Sequence, residues 1–194
     1  LLVYVTAWLK CHEPAAFCCG LLNAQPMGFY SPSQLIQDVQ RHGIEVRPID
    51  VCHSDWDHTL ETDAMALHPQ QQPAIRLGLR LVNQLSHAGA TRILQQRNRR
   101  PFASLADFTR RCPLNKTDSD ALAHANALRS LSAHRFQARW DMQGLQHESP
   151  LVRQEQQQET PVQLPAPSAA QNLAEDYRST GLTLGPHPMA LLRQ

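Results

Sequence analysis

The sequence lacks most features of a secreted, membrane-bound or disulfide-stabilised protein. Its five cysteines are odd in number and show no CxxC spacing, so we expect neither a disulfide framework nor a zinc site. No apolar run approaches the roughly 20 residues of a membrane span, and the amino-terminal stretch lacks the basic region and long apolar core of a signal peptide. We therefore expect no membrane partner, a cytoplasmic location and small buried thiols.

Motifs of common enzyme classes are also missing. The sequence has no P-loop, no GxSxG nucleophile elbow and no dinucleotide-binding glycine pattern. Asp55 and Asp57 flank Trp56 and resemble a two-metal carboxylate pair, but the surrounding HSDWDHTLE predicts a turn between strands, which disfavours that role. The histidines show no ligand spacing. We predict no catalytic or metal-binding residue in this chain.

The first third of the chain predicts helices. One helix is expected from Leu2 to Cys11, and it begins without an initiator methionine, so we expect a piece of a longer chain. A second, largely apolar helix begins at Pro14, because proline suits the first helical turn. Ser31 and Gln34 form a capping box for a third helix. The loop before it carries large apolar side chains, which we expect to pin it onto the neighbouring helices: Met27, Phe29 and Tyr30.

Strands and short helices follow, and then a polar segment. IEVRPIDV, HTLE and AIRLGL predict three short strands, with Pro48 placing the first at a sheet edge. The segment 146–170 is rich in Gln, Glu and Pro and is predicted to be a flexible linker, because it has too few apolar residues to bury. The helices expected after Gly78 are Leu79–Asn83, His87–Arg97, Ser104–Arg111, Asp118–Ala125 and His134–Leu145, with a further short helix after the linker.

The stretch LGLRLVNQLSHAGATRILQQR has the pattern of a helix-hairpin-helix. In such a motif, backbone N–H groups at the turn and at the next helix N-terminus point at a DNA phosphate, assisted by the helix dipole. The turn here is Gln84-Leu85-Ser86, and Ser86 is a favoured N-cap. Gln84 stands where glycine is usual, and its side chain would crowd the phosphate. Two packed helices without a ligand are the alternative interpretation.

Arginine dominates the charge around this hairpin. The residues Arg76 to Arg111 carry eight arginines and a single acid, Asp107, which suits the oxygens of phosphate. A second, degenerate hairpin follows, with Asn126 at a turn position that requires positive φ. The residues predicted to contact DNA are Arg80, Gln84, Leu85, Ser86, His87, Ala88 and Arg92.

The blocks of this sequence, in this order, resemble bacterial C-family DNA polymerases, the family of the polymerase III alpha subunit. The blocks are residues 6–61, IRLGLRLVNQLS, RPFASLADFTRR and EDYRSTGLTLGPHP, and NAQPMGFYSP and EDYRSTGLTL are most similar to the error-prone branch. The departures from the family pattern are Gln84 in the hairpin turn, and Cys11 and Glu13, where a basic and an aromatic residue are more usual.

The resemblance implies a domain order and a function. It implies a mainly helical fold with a small β element, in which residues 1–73 end a fingers region, 74–145 form a tandem helix-hairpin-helix domain and 171–194 begin a clamp-interaction and OB-fold region. It implies a DNA-directed DNA polymerase of damage-induced mutagenesis and lesion bypass, whose Mg²⁺ and catalytic carboxylates lie upstream in a palm domain, so this portion alone is expected to be inactive.

The partners implied by the resemblance are template-primer DNA and nucleotides, with a sliding clamp and accessory mutagenesis proteins. Two alternatives remain open at this point. One is a non-enzymatic helix-hairpin-helix scaffold that binds DNA. The other is a piece of the replicative polymerase III alpha subunit.

Overall fold

The computed structural model describes residues 1–62, 72–146, 162–186, 188–191 and 193, and it confirms a mainly helical fold with a small sheet. No helix in these ranges is long and apolar enough to cross a membrane. The elements are α1 (Leu2–His12), α2 (Pro14–Asn23), α3 (Pro32–Arg41), β1 (Val46–Arg47), β2 (Thr59–Glu61), β3 (Ala74–Arg76), a 3₁₀ turn (Leu79–Leu81), α4 (His87–Arg99), α5 (Leu105–Arg111), α6 (Lys116–His124), α7 (Arg135–Gln146), α8 (Ala169–Thr180) and α9 (Pro188–Leu191).

Several ends of elements follow local signals in the sequence. The Ser31–Gln34 capping box is present at the start of α3, and Gly43 ends that helix with φ 77°. The helix predicted from Leu79 to Asn83 is only a 3₁₀ turn, because Val82 already has extended backbone angles. α6 begins at Lys116, earlier than predicted, because the Asn115 side chain accepts a hydrogen bond from the Asp118 N–H and caps it.

Three strands follow α3 along the chain and precede the first hairpin. They form one sheet with the strand order β1-β3-β2. β1 runs parallel to β3, whereas β2 is antiparallel to it. The strand predicted from IEVRPIDV shrinks to Val46–Arg47 at the sheet edge, since Pro48 has no N–H to donate. Glu61 joins two strands by accepting hydrogen bonds from Arg76 and Arg47, each at 2.8 Å. These bonds, from Arg76 first, outweigh burial and lower the pKa of Glu61 to about 2.

One hydrophobic core runs through most of the described chain. It begins at Ala15 on α2, continues through Ile75 on β3 and Ile93 on α4, and includes Leu122 on α6 and Leu182 after α8. This core includes residues on both sides of the predicted boundary at residues 73 and 74, and the division into domains stays a prediction. The part of the predicted linker that the structure describes is bonded to α7: the Gln137 side chain donates to the Val162 carbonyl and accepts from the Leu164 N–H, both at 2.9 Å. Residues 147–161 of that prediction lie outside the described ranges.

The packing expected for the loop before α3 is wrong for Phe29 and Tyr30, whereas Met27 is half-buried. Phe29 is 90% exposed and Tyr30 is 58% exposed, so neither pins the loop to a helix. Polar bonds hold the loop instead, because the Gln25 side chain donates to the Tyr30 carbonyl and accepts from the Met27 N–H. α1 is exposed along its whole length, including its large apolar side chains Val5, Trp8 and Leu9.

Candidate nucleic-acid interface

The first hairpin links the 3₁₀ turn to α4. Gln84 lies at the tip of the turn with φ 69°, the left-handed region in which glycine is usual. Leu85 is buried and anchors the turn in the core. Ser86 caps α4, and its hydroxyl oxygen accepts from the Gly89 N–H at 2.9 Å. The backbone thus has the hairpin geometry that the sequence predicts, with glutamine in place of glycine.

Backbone N–H groups at this turn fall into two sets. Gln84, His87 and Ala88 are exposed, and among the described residues their N–H groups have no hydrogen-bond acceptor. The N–H of Leu85 is already donated to the Val82 carbonyl, and that of Ser86 to Asp118. Three of the five predicted backbone contacts are therefore open donors at the positive end of a helix dipole, where an anion is stabilised.

Asp118 occupies both donors of Ser86, the capping residue of this helix, which the sequence analysis did not anticipate. Its carboxylate accepts from the Ser86 N–H at 2.7 Å and from the Ser86 hydroxyl at 2.8 Å. Gly89 leaves room for it, because a Cβ there would lie 2.6 Å from the Asp118 Oδ2 atom. The one local signal is the Asn115–Asp118 cap spacing, which places Asp118 in the first turn of α6 but does not reveal its partner.

The second hairpin joins α6 to α7. Asn126 has φ 53°, as predicted, and the N–H of Ala127 reaches back to the Leu122 carbonyl at 3.0 Å, which closes α6 with a Schellman turn. The loop after β1 fixes this turn, because the Val51 N–H donates to the Ala127 carbonyl at 2.8 Å. Ser130, further along the turn, donates to the buried Asp50 carboxylate.

Arginine side chains near the first hairpin differ in how many hydrogen bonds they make within the chain. Arg80 donates to the Asn23 and Gln25 carbonyls and to Asp57, so it ties the hairpin entry to the loop before α3. Arg97 donates to the Ser54 carbonyl at 2.6 Å and pairs with Asp55. Arg92 is exposed on α4, and among the residues that the structure describes its one hydrogen-bond acceptor is the Pro113 carbonyl.

A second group of arginines surrounds Asp107 on α5. Arg100, Arg110 and Arg111 each place a guanidinium nitrogen 3.0 Å from its carboxylate. Burial alone would raise the pKa of Asp107, but the hydrogen bonds from Arg111, from the Ala103 N–H and from Arg110 outweigh it and lower the pKa to about 2. The side chains of Arg100 and Arg110 remain largely exposed although both contact Asp107. Their positive charge therefore faces solvent.

The helix α8 braces both hairpins. Asn83, next to the tip of the first hairpin, donates its N–H to the Ser179 carbonyl at 2.8 Å and its side-chain amide to the Arg178 carbonyl at 3.0 Å. At the second hairpin, the buried Arg135 pairs with Asp176. α8 therefore fixes the position of one hairpin relative to the other.

Buried histidine and cysteine side chains under the hairpins are structural. The His58 Nδ1 atom accepts from the Gly78 N–H at 3.1 Å, and burial, followed by the positive charge of Arg80, lowers the pKa of His58 to about 4. Burial raises the pKa of Cys18 to about 12 and that of Cys112 to about 11, so both thiols stay protonated. The expectation of buried thiols holds for these two and for Cys19, whereas Cys11 is exposed.

Asp55 and Asp57, which resemble a two-metal carboxylate pair in the sequence, are engaged by arginine side chains. Within the described ranges, no group of three or more His, Cys, Asp or Glu side chains is placed to hold a metal ion.

Comparison with known proteins shows which sequences this chain is similar to. A family model described as a helix-hairpin-helix motif matches residues 43–138. The error-prone DNA polymerase of Methylococcus capsulatus is 49% identical over the whole chain, and that of Alkalilimnicola ehrlichii is 50% identical. The chain is a homologue of error-prone DNA polymerases. It spans about a fifth of their length, 20% and 18% respectively.

The error-prone DNA polymerase of Pseudomonas syringae pv. syringae is also 50% identical over the whole chain, which covers 19% of its length. The resemblance to the error-prone branch is thus confirmed, with about half of the residues identical over the whole chain. The matched helix-hairpin-helix region contains both turns with positive φ, at Gln84 and Asn126.

Proposed function

We propose that this chain is the part of an error-prone DNA polymerase that holds template-primer DNA by its backbone phosphates. The observation that carries the proposal is the exposed set of open N–H donors at Gln84, His87 and Ala88, at the N-terminus of α4. A phosphate fits this end of the helix because oriented N–H groups and the helix dipole both favour an anion. Arg92, exposed on the same helix, would add a guanidinium to the contact.

Arg80 has a different role in this proposal. The sequence pattern predicts that it contacts phosphate, and this prediction is untested. Its guanidinium has three acceptors within the chain, so we assign it to holding the loop before α3 and assign phosphate contact to Arg92. Leu85 and Ser86 support the turn through burial and through bonds inside the chain.

The whole polymerase would act in damage-induced mutagenesis and lesion bypass in the cytoplasm, using Mg²⁺ held by carboxylates outside this chain. Its partners would be nucleotides, a sliding clamp and accessory mutagenesis proteins. The relatives named error-prone DNA polymerase support this branch over the replicative alpha subunit. A free-standing DNA-binding scaffold is disfavoured, because the chain matches only one segment of much longer enzymes.

Salt-dependent binding tests the proposal. Fluorescence anisotropy with two duplexes of unrelated sequence should give equal affinities that fall steeply with salt, since each neutralised phosphate releases counterions. Arg92→Gln should weaken binding to both duplexes and reduce the log–log salt slope by about one. The matched control is Arg41→Gln on α3, which removes the same charge from an exposed position outside the hairpins and should leave the slope unchanged.

Gln84→Gly provides an opposite arm of the same test. Glycine adopts φ 69° without strain and removes the side chain at the tip of the turn, so duplex should bind modestly more tightly while single strands change little. Equal affinity and slope for the unmodified chain, Arg92→Gln and Gln84→Gly would mean that the hairpin only packs, and the proposed contact would be abandoned.

A further inference from the structure

The N-terminus of α4 already holds a negative charge that belongs to the protein itself. The two carboxylate oxygens of Asp118 take the N–H and the hydroxyl of Ser86, the capping residue of that helix. A carboxylate at this position offsets the positive helix end, which is the same electrostatic feature that attracts phosphate. Ser86 thus has no N–H left to offer to DNA.

The structure keeps this carboxylate in place from several directions. Asp118 is only 3% exposed, and its own N–H is fixed by the Asn115 cap at 2.7 Å. Gly89 is the residue under its Oδ2 atom, where any side chain would collide with it. Since α6 belongs to the second hairpin and Ser86 to the first, the contact also holds the two hairpins together.

We infer that Asp118 is an internal competitor for the phosphate site of the first hairpin and that its charge lowers the affinity of this chain for duplex DNA. The inference rests on the proposed function and adds an affinity-setting residue to it. DNA is left with the donors of Gln84, His87 and Ala88, and it must approach them beside a fixed anion. The first hairpin therefore binds the DNA backbone more weakly than it would without this carboxylate.

Asp118→Asn removes the negative charge of this residue and keeps its bond to the backbone. The amide oxygen can still accept from the Ser86 N–H, and the amide nitrogen can donate to the Ser86 hydroxyl in place of the bond that the carboxylate accepts. At low salt we expect duplex affinity to rise on the order of three- to tenfold, as expected for one unit charge near a phosphate in a largely aqueous surrounding. The gain should shrink as added salt screens the charge. The matched control is Glu13→Gln, an equal change in charge at an exposed residue between α1 and α2.

A measurement on the unmodified chain protects the test against misfolding of the variant. In ¹⁵N-resolved NMR spectra, duplex should shift the amide signals of Gln84, His87 and Ala88 and leave that of Ser86 unchanged, because Asp118 retains its N–H. An Ser86 amide that shifts together with the other three would overturn the inference.

The outcomes also distinguish failure of this inference from failure of the proposed function. If the unmodified chain shows no salt-dependent duplex binding, the proposed function fails. If it binds, and folded Asp118→Asn binds no more tightly than Glu13→Gln, then Asp118 is only a structural brace and the inference alone is wrong.

Discussion

Gly78 lies where the chain turns from β3 into the first hairpin, pressed against the backbone of the preceding loop. A Cβ at this position would lie 2.5 Å from both the Asp57 carbonyl carbon and the Trp56 oxygen, and neither atom belongs to a flexible side chain. The close approach allows the next two N–H groups, of Leu79 and Arg80, to bond to the same loop. One glycine thus sets the start of the hairpin.

Gly78→Ala should destabilise the chain by on the order of 1–3 kcal/mol, the usual cost of forcing a methyl group into a packed site. The control is Gly20→Ala in α2, where no atom lies within 4 Å of the added Cβ and alanine should stabilise the helix by roughly 0.5–1 kcal/mol. Chemical denaturation of both variants measures the difference. Equal stability of the two variants would contradict the close approach.

His58 makes the stability of the chain depend on pH. Its folded pKa, about 4, lies below the ordinary 6.5, so the unfolded chain binds the extra proton first. Stability from this group is complete above pH 6.5 and is lost as the pH falls towards 4, with a loss on the order of 2 kcal/mol by pH 5. His58→Asn keeps an acceptor for the Gly78 N–H and should flatten this dependence.

Unfolding free energies at pH 7 and pH 5 measure the effect. The control is His53→Asn at an exposed neighbour, which should retain the acid sensitivity of the unmodified chain. The window lies above the region in which Glu61 and Asp107 become protonated, so their contributions do not interfere. An unchanged pH dependence in His58→Asn would refute the assignment.

Among the elements, α8 carries the connection between the hairpins through Asp176. This carboxylate pairs with Arg135, whose side chain is only 4% exposed, and it also accepts from the Thr183 hydroxyl at 2.8 Å. Asp176→Ala should cost about 3 kcal/mol, because it leaves a buried guanidinium without its partner. The matched change on the same helix is Arg178→Ala, which removes a 77% exposed side chain from a 3.9 Å pair and should cost well under about 1 kcal/mol.

Thermal or chemical unfolding of the two α8 variants provides the measurement. Because Asn83 is bonded to the end of α8, Asp176→Ala should also weaken duplex binding if the position of the hairpin tip matters. A variant as stable as Arg178→Ala would show that α8 is not a brace.

Elements with local signals were predictable from sequence, and long-range partners were not. The Ser31 capping box, the end of α3 at Gly43 and the positive φ of Asn126 depend on neighbouring residues, and all three are confirmed. The partners of Arg80 lie 55 and 57 residues away in the chain, so the pattern of arginines could not distinguish an internal tie from a phosphate contact. Asp118, 32 residues from Ser86, was missed for the same reason.

The exposure of side chains in the loop before α3 was also predicted incorrectly. Met27, Phe29 and Tyr30 predict a packed loop because their side chains are costly to leave in water. In the structure, hydrogen bonds from the Gln25 and Arg80 side chains hold that loop instead. Hydropathy does not predict such bonds. The backbone of the candidate site was therefore predictable, whereas its charge balance was not.

At the scale of the whole molecule, we expect this chain alone to have no polymerase activity. Incubated with primer-template, nucleotides and Mg²⁺, it should add no nucleotide, because the described residues hold no carboxylate cluster for the metal ions. Anisotropy in the same buffer must show that the chain still binds the primer-template, so that missing extension is not missing binding. Template-dependent extension by the purified chain would refute the prediction.

The single core that begins at Ala15 and reaches Leu182 bears on how such a region can change during evolution. Exchange of residues 74–145 alone by recombination should be disruptive, because a junction at either side would separate side chains that bury one another. Substitutions must instead accumulate in place, with α2, the sheet and α8 adapting to the hairpins together. Under the proposed function, a lineage would change its affinity for DNA through single residues such as Gln84, without exchanging the region that carries them.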